Sequence, residues 1–250
     1  MTDEPLDPAQ FPTGSAWQAV RSIATALAPS LAATPSKMAA VLILRDQVYW
    51  RVALGPTPSG YSPWMTPDVA YRDNVRDQLY THECGGRCLL FLIACRAFGI
   101  RARYVGLWDG VVNINSDTAF VHASSEILIG GRWIVCDGHY NITLRDQKGW
   151  RLSWMDARER LLRNEPVTFS TDGYTQGSIT PEHYLNDVYH ETLTDLTSFI
   201  ATSVHRDRKL SYPAAANTPG WTGMLSYIGG ATYDAVASIN GDPYAMLAQP

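Results

Sequence analysis

The feature that most constrains this chain is the run from Cys88 to Phe98, CLLFLIACRAF. Every residue in it but Arg96 is apolar or a thiol, and Gly99 follows as a stop signal. A helix that is apolar on all sides has no face to give to water, so it belongs in the middle of the fold with other elements packed around it.

Candidate packing partners lie on both sides of this run. Upstream, Ser15–Leu31 has apolar residues at helical spacing (Trp17, Val20, Ile23, Ala24, Leu27), with Ser15 as cap. Met38–Val52 is apolar and open between helix and strand. Residues 55–67, GPTPSGYSPWMTP, read as a long loop carrying Tyr61 and Trp64, of a kind that serves as lid or linker. Residues 68–82 read as a polar helix. Downstream, Arg101–Trp108 reads as a strand and 108–117 as a loop. Ser153–Arg163 reads as a helix capped by Ser153, and Pro181–Ser203 contains a long amphipathic helix. Helices, a buried helix and then antiparallel strands predict the α+β class.

Two β-rich runs, Ala119–Ile129 and Arg132–Asp137, are joined by Gly130-Gly131, which predicts a β-hairpin. A two-residue turn there sets Ile129 opposite Arg132, Leu128 opposite Trp133, Glu126 opposite Val135 and Ser124 opposite Asp137. Side chains directly opposite share a face of the sheet, so His122, two residues from Ser124, becomes a diagonal neighbour of Asp137. The other face carries Val121, Ala123, Ile127, Ile129 and Ile134 and is apolar enough to pack. In the same register His139 lies opposite His122 and would line the site.

The thiolate is the nucleophilic form of cysteine, and a helix N-terminus or a nearby histidine favours it. Cys88, just after Gly85-Gly86-Arg87, falls at the expected first turn of the buried helix. The free N–H groups of such a turn would face a developing oxyanion. Cys88, His122 and Asp137 are therefore the expected nucleophile, base and orienting carboxylate.

These pieces resemble the core of the transglutaminase-like superfamily, a branch of the papain-like cysteine enzymes. The matching phrases are Gly86-Arg87-Cys88, Gly99-Ile100-Arg101-Ala102-Arg103, His122-Ala123-Ser124-Ser125-Glu126 and Gly131-Arg132-Trp133 leading to Asp137. They cover roughly residues 80–141. The resemblance implies a papain/transglutaminase-like core, with a buried nucleophile helix packed on an antiparallel sheet. It also implies acyl transfer or amide hydrolysis through a thioester. Two positions depart from the pattern: Ser124 stands where the family often has Trp, and Gly138 where it often has Pro. For the polar partner of the oxyanion, His82, Gln78 and Trp64 remain open. Trp64, His82, Trp108 and His139 are the candidate substrate-binding residues.

Rival readings use the same residues. His82-Glu83-Cys84 with Cys88, and Cys136-Asp137-Gly138-His139, supply thiol and imidazole groups for zinc, but their spacing is not a tight zinc signature. No metal and no cofactor are expected. Arylamine N-acetyltransferases also place Cys after Gly-Gly-x with His and Asp on strands. A non-catalytic binding module of the same fold is the third alternative. Cys95 shares a helical stripe with Cys88 two turns deeper and reads as core.

Composition bounds the partners. The 250 residues carry a formal net charge of −4 with no run of Lys or Arg, which argues against nucleic acid or an anionic membrane. No stretch of about 18 apolar residues exists to span a bilayer. The N-terminus carries acids and prolines where a signal peptide needs a basic flank and an apolar run, so cytoplasmic residence is expected. The chain is expected to form one domain over 1–250, with its core motifs in 80–141 and a helical elaboration over about 150–250. The expected partner is an amide-, peptide- or thioester-bearing substrate, with an amine as possible acceptor.

Overall fold

The computed structural model describes residues 3–56, 66–108, 120–177 and 199–203. The helical layer comprises α1 (Ser15–Leu27), α2 (Lys37–Arg51), the short α3 (Pro67–Tyr71) and α4 (Cys84–Ala97). Strands β1 (Ala102–Trp108), β2 (Phe120–Ile129) and β3 (Arg132–Val135) follow, then β4 (Thr143–Asp146), α5 (Trp154–Leu162), β5 (Val167–Ser170) and β6 (Phe199–Ser203). Four strands form one antiparallel sheet in the order β3-β2-β1-β6, and β4 pairs with β5 in a second. The architecture is α+β, as the order of elements predicts.

The central helix is where its composition requires it to be. Leu90, Phe91, Leu92, Ile93, Ala94 and Cys95 follow one another around α4 and none is more than 1% exposed. They pack among Trp17, Val20 and Ala24 of α1, Val41, Leu44 and Val48 of α2, and Ala123, Ile127 and Ile134 of the sheet. Burying a side chain of this size is worth roughly 1.5–3 kcal/mol, so this helix is the largest single contributor to the core. Gly99 takes the left-handed φ of 66° that ends it.

The hairpin register is the expected one as far as the ladder runs, with Ile129, Leu128 and Glu126 paired to Arg132, Trp133 and Val135. Strand β3 ends at Val135 and Asp137 bridges to Ile142, so the expected pairs Ser124–Asp137 and His122–His139 are not ladder pairs. Gly130 and Gly131 both adopt positive φ, as a primed turn demands. Ser153 caps α5 in a reciprocal capping box with Asp156.

One open choice is settled and four expectations need correction. Met38–Val52 is resolved as helix α2, opened by Ser36 accepting the Ala39 N–H. The polar helix over 68–82 is instead α3 followed by a wide π-type turn, Arg72–Arg76, because Asp77 N–H bonds back five residues to Arg72. Residues Phe199–Ser203 form β6 against β1, not the end of a helix; the rest of the expected helix over 181–198 lies outside the described residues. Most consequential, the buried helix starts at Cys84 rather than Cys88. Of the helical elaboration expected over about 150–250, the described residues contain α5 but also β5 and β6. Among the described residues no helix is long and apolar enough to cross a membrane.

Candidate active site

The shift of the helix start by one turn changes which thiol meets the histidine. Cys84 is the first residue of α4, and Glu83 before it provides no side-chain cap, so no side chain of the cap competes for the first N–H groups. The Cys84 thiol shares a hydrogen bond with the His122 ring, and its sulfur accepts the Ala123 N–H at 3.4 Å. Burial pushes this thiol up, but the His122 hydrogen bond, the His122 charge and the Ala123 N–H outweigh it. The thiol therefore ionises below its ordinary range.

Cys88, the expected nucleophile, is not brought to His122. It lies one turn deeper at 1% exposure and donates its S–H to the Ser124 carbonyl at 2.8 Å. Burial, then the negative charge of Asp137, push its ionisation well above the usual thiol range. The physical reason is helical geometry: four residues carry a side chain about 6 Å along the axis, from the mouth of the helix into its packed interior.

The other two expected groups do meet. His122 Nε2 lies 2.7 Å from Asp137 Oδ2, both fully enclosed. Burial lowers the His122 affinity for a proton, yet the Asp137 charge and hydrogen bond and the Cys84 hydrogen bond raise it to about 9. With Nε2 engaged by Asp137, Nδ1 is the ring nitrogen left for the thiol. Burial alone would raise Asp137, but the charge and hydrogen bond of His122 hold it well below the usual carboxylate range. Its four hydrogen bonds fill both oxygens: His122 and the Ser124 hydroxyl (2.6 Å) on Oδ2, the His139 and Tyr140 N–H groups (2.8 and 2.9 Å) on Oδ1.

The turn that carries Asp137 is closed by reciprocal backbone bonds between Asp137 and Ile142. Asn141, at φ 57°, bonds the Arg45 Nε and the Asp46 carboxylate of α2. Gly138 lets this turn approach α4, since an added Cβ would lie 3.3 Å from Phe91. The two departures from the family pattern thus have local uses: Ser124 bonds the carboxylate and Gly138 gives the turn clearance.

Of the four candidate substrate-binding residues, two can be placed by their side chains. His139 is 8% exposed, with its ring centroid 5.4 Å from that of His122 and its Nδ1 unpartnered. Burial, then the His122 charge, push it down to about 3, so it is neutral beside the charged dyad. His82 is 1% exposed; its Nε2 lies 2.6 Å from Asn74 Oδ1, and burial pushes it down to about 4. Trp108 ends β1 beyond an irregularity in the pairing with β2. Trp64, with the 57–65 part of its loop, lies outside the described residues.

His82 also explains one of the two glycines. A Cβ on Gly86 would fall 2.4 Å from His82 Nδ1, so the imidazole occupies the place of a side chain there. At Gly85 the nearest group, the Tyr104 hydroxyl, is 3.7 Å away and leaves room. The groups of the zinc alternative point to different partners: His82 to Asn74, Cys88 to the Ser124 carbonyl. Among the described residues no three His, Cys, Asp or Glu groups converge as metal ligands.

Sequence comparison finds a partial likeness to one family. Residues 32–138, less than half of the chain, match the transglutaminase-like superfamily, and that stretch contains Cys84, His122 and Asp137. Those residues are similar to the transglutaminase-like core. Among solved structures, the chain is similar to a Cytophaga hutchinsonii protein reported under the provisional name of a cysteine protease. The two are 26% identical over 53% of this chain and 41% of that one, with a TM-score of 0.36. The match thus spans less than half of that protein's length. No curated protein matches the chain.

Proposed function

We propose that this protein is a cysteine-dependent hydrolase or acyl transferase, with Cys84 as nucleophile, His122 as proton carrier and Asp137 as the carboxylate that orients His122. The observation that carries the reading is the pairing of the Cys84 thiol with His122 at the first residue of α4. A thiolate there draws support from the imidazolium and from the positive end of the helix at once.

The reaction follows from these positions. The Cys84 thiolate bonds the carbonyl carbon of an amide or thioester, and the oxyanion forms against the free N–H groups of the first turn of α4. The bond to the leaving group breaks as His122 gives it a proton, leaving a thioester on Cys84. Water or an amine then loses a proton to His122 and attacks the thioester carbon, which releases the acyl group and restores the thiolate. Asp137 keeps the tautomer and orientation of His122 throughout. His139, neutral and beside the dyad, is a candidate contact for the substrate or the acceptor.

The test is site-resolved alkylation. Iodoacetamide should label Cys84 selectively below pH about 8, the ordinary thiol range, and a His122→Ala variant should lose that selectivity. Equal labelling of Cys84 and an ordinary exposed thiol would sink the reading.

A further inference from the structure

Arg87 lies three residues after Cys84, on the neighbouring turn of α4, and the proposed reaction gives it no task. It is 4% exposed, and among the described residues it forms no ion pair. Its Nε and Nη2 donate to the Val52 carbonyl at the end of α2, and its Nη1 to the His139 carbonyl at 3.2 Å. The guanidinium also lies over the Tyr49 ring, 5.7 Å from its centroid. A buried cation with only neutral partners is costly to retain, so its placement calls for a cause.

The cause lies in one peptide group. The His139 carbonyl that Arg87 holds belongs to the same peptide as the Tyr140 N–H, and that N–H donates to Asp137 Oδ1 at 2.9 Å. Guanidinium, peptide and carboxylate form a chain in which each bond polarises the next. We propose that Arg87 is a positioning residue: through the His139–Tyr140 peptide it locks the turn of Asp137 onto the nucleophile helix, and so sets the carboxylate against His122. The inference rests on the reading of Cys84, His122 and Asp137 given above. The titratable groups that face Arg87 are Tyr49 from α2, His82 before α4, and Asp137, His139 and Tyr140 from the turn. Burial keeps His82 and His139 neutral, and Asp137 is the one carboxylate among these groups, so it is the charge that Arg87 answers.

Titration of the His122 ring by NMR in the wild type, Arg87→Gln and Arg87→Lys decides the matter, because the sign of the shift separates two roles. Mere loss of a nearby positive charge would raise the His122 midpoint. Loss of the placement of Asp137 would lower it. We expect a fall of about one pH unit in R87Q, a tenfold change in proton affinity, and a smaller fall in R87K, whose single ammonium cannot hold both carbonyls. An unchanged or raised midpoint in folded R87Q overturns the inference. Should R87Q fail to fold, R87K decides: a fall supports positioning, and no shift overturns it. Because the Cys84 thiol also raises the His122 midpoint, the three proteins are titrated in a Cys84→Ala background as well, where the thiol's share is gone. If Cys84 proves unactivated while the His122 shift is present, the proposed reaction falls and the role of Arg87 stands.

Discussion

Cys84 and Cys88 stand one turn apart on α4, yet the His122 ring bonds the first while a backbone carbonyl accepts a hydrogen bond from the S–H of the second. One residue type at helical spacing thus has two opposite chemistries. The outer thiol sits at the open end of the helix beside a cation; the inner one is sealed in apolar surroundings and held protonated.

Removing each thiol should therefore give different results. Cys84→Ala should abolish both low-pH alkylation and turnover of a thioester or amide substrate. Cys88→Ala should keep the Cys84 labelling and cost only stability, about 1 kcal/mol in a denaturant melt. Labelling that follows Cys88 would reverse the assignment.

The charge pair of His122 and Asp137 predicts how stability follows pH. The His122 midpoint in the fold, about 9, lies above its ordinary value. Its contribution is therefore whole below about pH 6.5 and is lost as pH rises through about 9. Asp137 is shifted the other way: its contribution is present above the ordinary carboxylate range and is lost as pH falls through its depressed value. Thermal melts should peak in mildly acidic buffer and decline toward pH about 9. Asp137→Asn should remove most of that alkaline decline. A variant with the wild-type profile would show that the pair does not couple to folding.

The two glycines at the start of α4 should not be equivalent. Gly86→Ala drives a Cβ to 2.4 Å from the His82 ring and should cost about 1–3 kcal/mol. Gly85→Ala has 3.7 Å of clearance and should stabilise by up to about 1 kcal/mol through helix propensity. Urea melts of the two variants provide the comparison, and equal effects would contradict the contact.

Glu126 should be the most sensitive polar residue outside the site. It is fully enclosed, pairs with Arg103 at 2.7 Å and accepts the Trp154 N–H at 2.7 Å, while Arg103 lies over the Trp133 ring. Glu126→Ala leaves a buried guanidinium and a backbone donor unpaired and should cost about 3–5 kcal/mol. A loss below about 1 kcal/mol in a denaturant melt would mean that water reaches the pair.

How much of this was legible in the sequence depended on which force decides each element. The hairpin was readable down to its register because a period of two and the Gly130-Gly131 turn leave one arrangement that buries Ile127 and Ile134 together. From that register came the approach of His122 to Asp137. The start of α4 is hidden in the sequence because Gly85-Gly86 have the lowest helix propensity of any non-proline pair and read as a bend. Tertiary contacts override that preference: the His82 ring needs the missing side chain of Gly86. Once the bend is assumed, Cys88 becomes the first-turn cysteine and Cys84 drops out. The alternation Cys84, Cys88, Cys95 on one stripe held the correcting signal, since only the outermost of three stacked thiols can face a reactant. The wide turn at Arg72–Arg76 carries no sequence signature, and Arg87 gave none either: its partners are carbonyls, which every residue has.

The fit of His82 over Gly86 also has a historical consequence. A lineage that loses the imidazole frees position 86 to vary, whereas one that first acquires a side chain at 86 meets an occupied space. Change can therefore enter this corner by one route and not the other. Among relatives of this chain, histidine at 82 should occur only with glycine at 86, while glycine at 86 can persist without it.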